Sequence, residues 1–171
     1  IILMGYYNPI HYFGNKKFIK KAIDSGADGL IIVDLPVEED KELFLESEKN
    51  NLRFIRLITP TTNRERLKRI SKKAKGFIYY VAVVGITGTK SALKIDVEKK
   101  LNQIKNITNL PIVIGFGIKN PNQAIEMSKL GDGIVIGSSL VEKIKKIKVF
   151  SKITDECIDF VKKFSTKFWH V

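Results

Sequence analysis

The sequence predicts an α/β protein built on a parallel sheet covered by helices, and three observations carry that prediction. Short runs of branched apolar residues alternate with longer amphipathic stretches, strand then helix, six times between Ile1 and Phe164. The short runs are unbroken apolar blocks, the pattern of strands buried on both faces rather than on one. No second zone of composition and no long linker interrupts the alternation, so residues 1–171 read as a single domain.

Taken in order, Ile1 to Met4 is a first strand, followed by a loop G-Y-Y-N-P. A helix is expected from about Asn15 to Ser25, with Phe18, Ile19, Ala22 and Ile23 on one face and Gly26 closing it in a left-handed conformation. Leu30 to Val33 is the next strand, and Pro36 suits the first turn of a helix that carries Leu43 and Phe44 to about Asn50. Leu52 to Ile58 is a strand, and its helix, about Asn63 to Ala74, turns Leu67 and Ile70 inward. Phe77 to Val84 is a strand that runs into the loop G-I-T-G-T-K, after which Asp96 caps a helix through about Ile107. Pro111 to Ile114 and Gly133 to Ile136 are the last two strands, separated by a helix that starts at Asn120-Pro121. A short helix follows Ser138, and a final amphipathic helix runs from about Ser151 to Phe164.

The stretch from Pro111 to Ser139 carries the chemistry. Each of its strands stops at glycine, at Gly115 and Gly117 and again at Gly137. Backbone without a Cβ can turn tightly and approach a ligand there, and the helix beginning near Ser138 turns free N–H groups outward. Two neighbouring strand ends offering backbone donors suit an anion, above all a phosphate, whereas either glycine set alone is as well explained by a plain turn. An open doubly wound sheet would place such a site after the first strand. A (β/α)8 barrel places it after strands seven and eight, with a short extra helix, which is the arrangement here. Such a barrel needs about 250 residues, so the chain reads as strands three to eight, lacking about the first two βα units.

Composition excludes several classes. The formal net charge is +12, yet only five of the thirty basic residues are arginine, the residue whose planar fork suits nucleic acid and phosphate. The balance reads as a lysine-rich surface, with no nucleic acid as partner. One cysteine, Cys157, excludes an internal disulfide and fits a reducing, cytoplasmic compartment, and it is expected to be a buried apolar residue. His11 and His170 lie far apart and are expected at the surface, and no metal-ligand spacing occurs. No apolar run reaches membrane-spanning length, and Ile1 to Met4 lacks the basic flank of a signal peptide.

Five stretches together resemble the tryptophan synthase α chain family. They are L-M-G-Y-Y-N-P-I (Leu3 to Ile10), S-G-A-D-G-L-I-I-V-D-L-P-V-E-E (Ser25 to Glu39), G-F-I-Y-Y-V-A-V-V-G-I-T-G (Gly76 to Gly88), P-I-V-I-G-F-G-I (Pro111 to Ile118) and G-I-V-I-G-S-S-L-V (Gly133 to Val141). They span the chain in family order, and D-L-P-x-E-E with Y-Y-V-x-x-x-G-x-T-G is the most specific pair. The resemblance implies a TIM barrel that cleaves indole-3-glycerol phosphate, by a retro-aldol reaction, to indole and glyceraldehyde 3-phosphate. It also implies an α2β2 heterotetramer, in which a β subunit carrying pyridoxal phosphate receives the indole, and no cofactor in this subunit.

By motif position, the resemblance assigns the substrate phosphate to Gly88, Gly115, Gly117, Gly137 and Ser138. Tyr79 and Phe116 would line the indole pocket with Tyr6 near it, and Thr87 would sit in a loop that closes over the substrate. Tyr7, Asn8, Pro9, Asp34, Leu35 and Pro36 would face the β subunit. Without the resemblance, Tyr79 and Phe116 read as core aromatics, Thr87 as a plain loop residue and Asp34 as a candidate catalytic carboxylate. The family's catalytic Glu and Asp belong to its second strand and the following loop, which would precede Ile1, so no catalytic residue is assigned here. The 171 residues alone are therefore expected to be inactive, and to aggregate or stay partly molten. Two other readings remain: an isomerase or epimerase barrel acting on sugar phosphates, which would need its own acid–base pair, and a non-catalytic barrel subunit that activates another enzyme.

Overall fold

The computed structural model describes residues 1–82, 90–115, 117, 118 and 120–165. Its strands are β1 (Ile2–Gly5), β2 (Gly29–Ile32), β3 (Arg53–Phe54), β4 (Arg56–Ile58), β5 (Ile78–Val81), β6 (Ile112–Gly115) and β7 (Gly133–Val135). Every pairing is parallel and follows chain order. β3 and β4 are one strand interrupted at Ile55, whose N–H still donates to Leu30 O at 2.9 Å. Six parallel strands therefore curl into a half-barrel, as expected of an α/β barrel. The helices are α1 (Tyr7–Phe13), α2 (Asn15–Asp24), α3 (Lys41–Lys49), α4 (Arg64–Lys73), α5 (Lys90–Lys105), α6 (Pro121–Ser128), α7 (Ser138–Lys146) and α8 (Ile153–Ser165).

Register shows where the core sits. Ile58, Ile78, Tyr80, Ile112 and Ile114 alternate along β4 to β6 on the helix-facing side and are buried against Leu67, Ile70, Val97, Leu101 and Ile104. Leu57, Tyr79 and Val113 pair with one another on the opposite, concave side and are only half-buried. This corrects the expectation that all strands are buried on both faces. Only β2 is buried at every position, because the described residues place helices over one face of the sheet.

Several local expectations hold for their stated reasons. Gly26 has φ +84° just past the C-terminus of α2. Asn63 and Asn120 each accept, through Oδ1, the backbone N–H three residues on, at 2.9 and 3.0 Å.

Others change. The loop expected at Gly5 to Pro9 is largely the first turn of α1, where proline costs nothing because its missing N–H would have had no helical acceptor. Pro36 does not start a helix: Glu39 N–H closes a turn on Pro36 O, and α3 waits until Lys41. Asp96 lies inside α5 rather than at its cap. Cys157 is half-buried rather than buried.

Candidate functional site

A parallel sheet points all its strand C-termini one way, so the C-terminal ends of β5, β6 and β7 lie together at one end of the half-barrel. There they frame a cavity of about 590 Å3 whose walls include Tyr79, Gly115, Gly117, Gly137 and Ser138. A Cβ built on Gly117 or Gly137 would meet nothing within 4 Å, so both border open space. Gly115 is different. A Cβ there would lie 2.1 Å from Tyr79 Cε2 and 2.4 Å from its hydroxyl oxygen, so the Tyr79 ring occupies the room that Gly115 leaves.

Ser139 Oγ donates to Ile118 O at 2.5 Å, which fastens the first turn of α7 to the turn after β6. Leu140 and Val141 N–H groups return to Gly137 O at 3.0 and 3.1 Å. The Ser138 and Ser139 N–H groups precede them, at positions that have no acceptor within a helix, at its positive end. Burial pushes the Tyr79 hydroxyl above its ordinary pKa, so it is a neutral phenol able to donate. The arrangement can hold an anion by backbone donors at one side and an aromatic body at the other.

A second cavity of about 790 Å3 adjoins the first and shares Val81 with it. Asp34, Leu35 and Pro36 line it with Thr59, Thr61 and Arg66. Asp34 Oδ1 accepts Tyr7 N–H at 2.7 Å, so the structure joins the Tyr7-Asn8-Pro9 segment to the Asp34-Leu35-Pro36 turn. The rest of that turn is bound to α4. Lys73 Nζ donates to Val37 O at 2.9 Å and to Asp40 at 3.1 Å, and Glu38 meets Arg66 and Arg69 at 3.3 and 3.7 Å. Arg56 forms a buried ion pair with Asp40 and lies over the Phe54 ring, 4.0 Å from its centroid. Burial lowers the Arg56 pKa, and Asp40 opposes that shift.

Of the remaining expected residues, Tyr6 follows the edge strand β1, is 63% exposed and lines neither cavity. His11 is exposed, with Nδ1 3.4 Å from the Tyr7 hydroxyl. Gly88, Thr87, Phe116 and His170 lie outside the described residues. Among the described residues, no group of three or more His, Cys, Asp or Glu is placed to hold a metal ion, and no helix is long and apolar enough to cross a membrane.

The model of the tryptophan synthase alpha chain family matches residues 1–167. The chain belongs to that family. Among solved structures it is similar to the tryptophan synthase alpha subunit of Campylobacter jejuni, at 39% identity and TM-score 0.87, over 95% of this chain and 64% of that one. The alpha chain of Legionella pneumophila matches at 32% identity and TM-score 0.85, over 97% of this chain and 61% of that one. A chain of the tryptophan synthase α2β2 complex of Pyrococcus furiosus matches at 30% and 0.81, over 97% and 64%. The chain thus spans 61 to 64% of the length of these relatives.

Within the family, the half-barrel and its glycine turns were readable from motifs, but several cavity residues were not. Ser139 stood inside the glycine stretch without a role, and its hydroxyl bridges the two turns. Glu142, Lys143, Lys146 and Phe160 also line the first cavity. A helix begun at Ser138 puts Glu142 four residues on, over the same face, and that spacing was the available signal.

Proposed function

We propose that the chain serves tryptophan biosynthesis as an alpha subunit that cleaves indole-3-glycerol phosphate to indole and glyceraldehyde 3-phosphate. The observation that carries the proposal is the cavity in which Gly117, Gly137 and Ser138 border open space at the start of α7 while Tyr79 supplies an aromatic wall. In this reading the substrate phosphate lies against the Ser138 end of α7 and the indole ring extends over Tyr79. By motif, Gly88, Thr87 and Phe116 are carried over to the same substrate, whereas Tyr6, which lines neither cavity, is not.

Cleavage breaks the bond between indole C3 and the glycerol chain. A hydroxyl proton leaves as the carbonyl of glyceraldehyde 3-phosphate forms, the electron pair passes to the ring, and a proton returns to C3. That work needs acid–base groups within hydrogen-bond reach of the reacting atoms. The residues here bind and orient, and the Glu and Asp that the family uses match no motif in these 171 residues, which alone are inactive in this reading. Indole would pass to a cytoplasmic β subunit carrying pyridoxal phosphate, docked on Tyr7, Asn8, Pro9 and Asp34 to Pro36 in an α2β2 assembly. The alpha subunit itself would need no cofactor and no metal.

The test joins residues 1–171, as one domain, to the part of the Campylobacter jejuni subunit that they do not match. The hybrid barrel should release indole from indole-3-glycerol phosphate, and residues 1–171 alone should release none. A folded hybrid that binds phosphate yet forms no indole would overturn the lyase reading. Release of indole by residues 1–171 alone would overturn their inactivity.

A further inference from the structure

The lysines near the candidate phosphate site are not evenly spread. Lys143 and Lys146 line the 590 Å3 cavity, and both also line a neighbouring hollow of about 200 Å3 with Lys148, Lys152 and Glu156. The two hollows therefore share a wall, and that wall is cationic. Lys143 stands five residues after Ser138, about 7.5 Å along the helix axis. Of the two cavity lysines on α7, Lys143 is thus the nearer along the axis to the free amide end of the helix. Glu156 of α8 holds the Lys143 ammonium at 2.5 Å, and Glu142 is the other carboxylate in this region. Four lysines against two carboxylates leave the passage basic.

We propose that Lys143, Lys146, Lys148 and Lys152 form an electrostatic approach channel that guides phosphomonoester dianions to the Ser138 end of α7, with Lys143 as its innermost cation. This rests on the phosphate reading above. Clefts lined by one sign of charge concentrate an oppositely charged ligand and favour its capture, and salt screens the effect over about 8 Å at physiological ionic strength. Glu156 moderates the channel by neutralising Lys143, which makes opposite outcomes available to experiment.

The test measures inorganic phosphate binding calorimetrically, at low and at high salt, in the hybrid barrel that carries residues 1–171. The triple variant Lys146→Gln, Lys148→Gln, Lys152→Gln should bind about fivefold more weakly at low salt and be nearly indistinguishable from wild type at high salt. Glu156→Gln should bind roughly twofold more tightly at low salt. Gly137→Val, whose side chain enters open space in the cavity, should abolish binding at both salts. Unchanged salt dependence in the triple variant, or weaker binding in Glu156→Gln, with Gly137→Val still inactive, overturns the channel and leaves the phosphate reading standing. If wild type binds no phosphate, or Gly137→Val binds normally, the phosphate reading falls and the channel with it.

Discussion

At the scale of single residues, two side-chain arrangements set tight limits on substitution. Gly115 and Tyr79 occupy one space between them, since a Cβ at Gly115 would overlap the ring at 2.1 Å. Gly115→Ala should therefore destabilise the hybrid barrel by about 1–3 kcal/mol, because the overlapped ring must leave its position before the Cβ fits. The same substitution in a Tyr79→Leu background should cost much less, and urea denaturation of the four members of the cycle measures the difference. Additive effects would show that the ring moves aside freely. Asp40 is the second case. It is 1% exposed and meets both Arg56 and Lys73, while Arg56 is 4% exposed. Asp40→Ala strands a buried guanidinium and should cost about 3–5 kcal/mol, whereas Asp40→Leu combined with Arg56→Met should recover most of the loss. Equal destabilisation by the single and double changes would mean that packing, not charge, governs the site.

At the scale of elements, helix starts are set by caps, and their legibility in the sequence tracked how local each cap was. Asn120 with Pro121 names the start of α6 within four residues, and Asn120 Oδ1 indeed accepts the Gln123 N–H at 3.0 Å. Asn120→Ala should cost about 1 kcal/mol, read as a lowered denaturation midpoint, and Asn120→Asp should retain most of the stability. No loss in Asn120→Ala would mean that α6 is fixed by Ala124 and Met127 packing alone.

The start of α3 was not legible in this way. Pro36 suits a first turn, but the residues after it are recruited by distant partners. Val37 O and Asp40 are taken by Lys73, thirty-six and thirty-three residues along, and the helix begins only past that tether. α1 was missed for the same reason, because the side chain that receives its first N–H is Asp34, twenty-seven residues away. The glycine turns of the candidate site were readable because backbone chemistry alone defines them. Lys143 and Lys146 were not, because a lysine facing a cavity and a lysine facing water look alike until the helix is placed.

At the scale of the whole molecule, the half-barrel presents apolar surface that a closed barrel would bury. Leu3 and Met4 of the edge strand β1 are 37% and 58% exposed, and Val33 at the end of β2 is 40% exposed. Among the described residues, β1 at one edge and β7 at the other each pair with a single neighbour, which leaves one row of backbone donors and acceptors without a strand partner on each. Between them Leu57, Tyr79 and Val113 are only half-buried on the concave side, although the interior of such a barrel is normally packed solid. The helix-facing core from Ile58 to Ile114 is complete without that side, so secondary structure should persist where tertiary closure does not. Residues 1–171 produced alone should accordingly show helical circular dichroism, bind a hydrophobic dye strongly, melt without a sharp transition and self-associate as concentration rises. The hybrid barrel, with both edges paired, should lose the dye signal and melt cooperatively. A monomeric 171-residue polypeptide with a sharp melt and no dye binding would show that the helix-facing core suffices to fix the half-barrel, and that the concave side needs no cover.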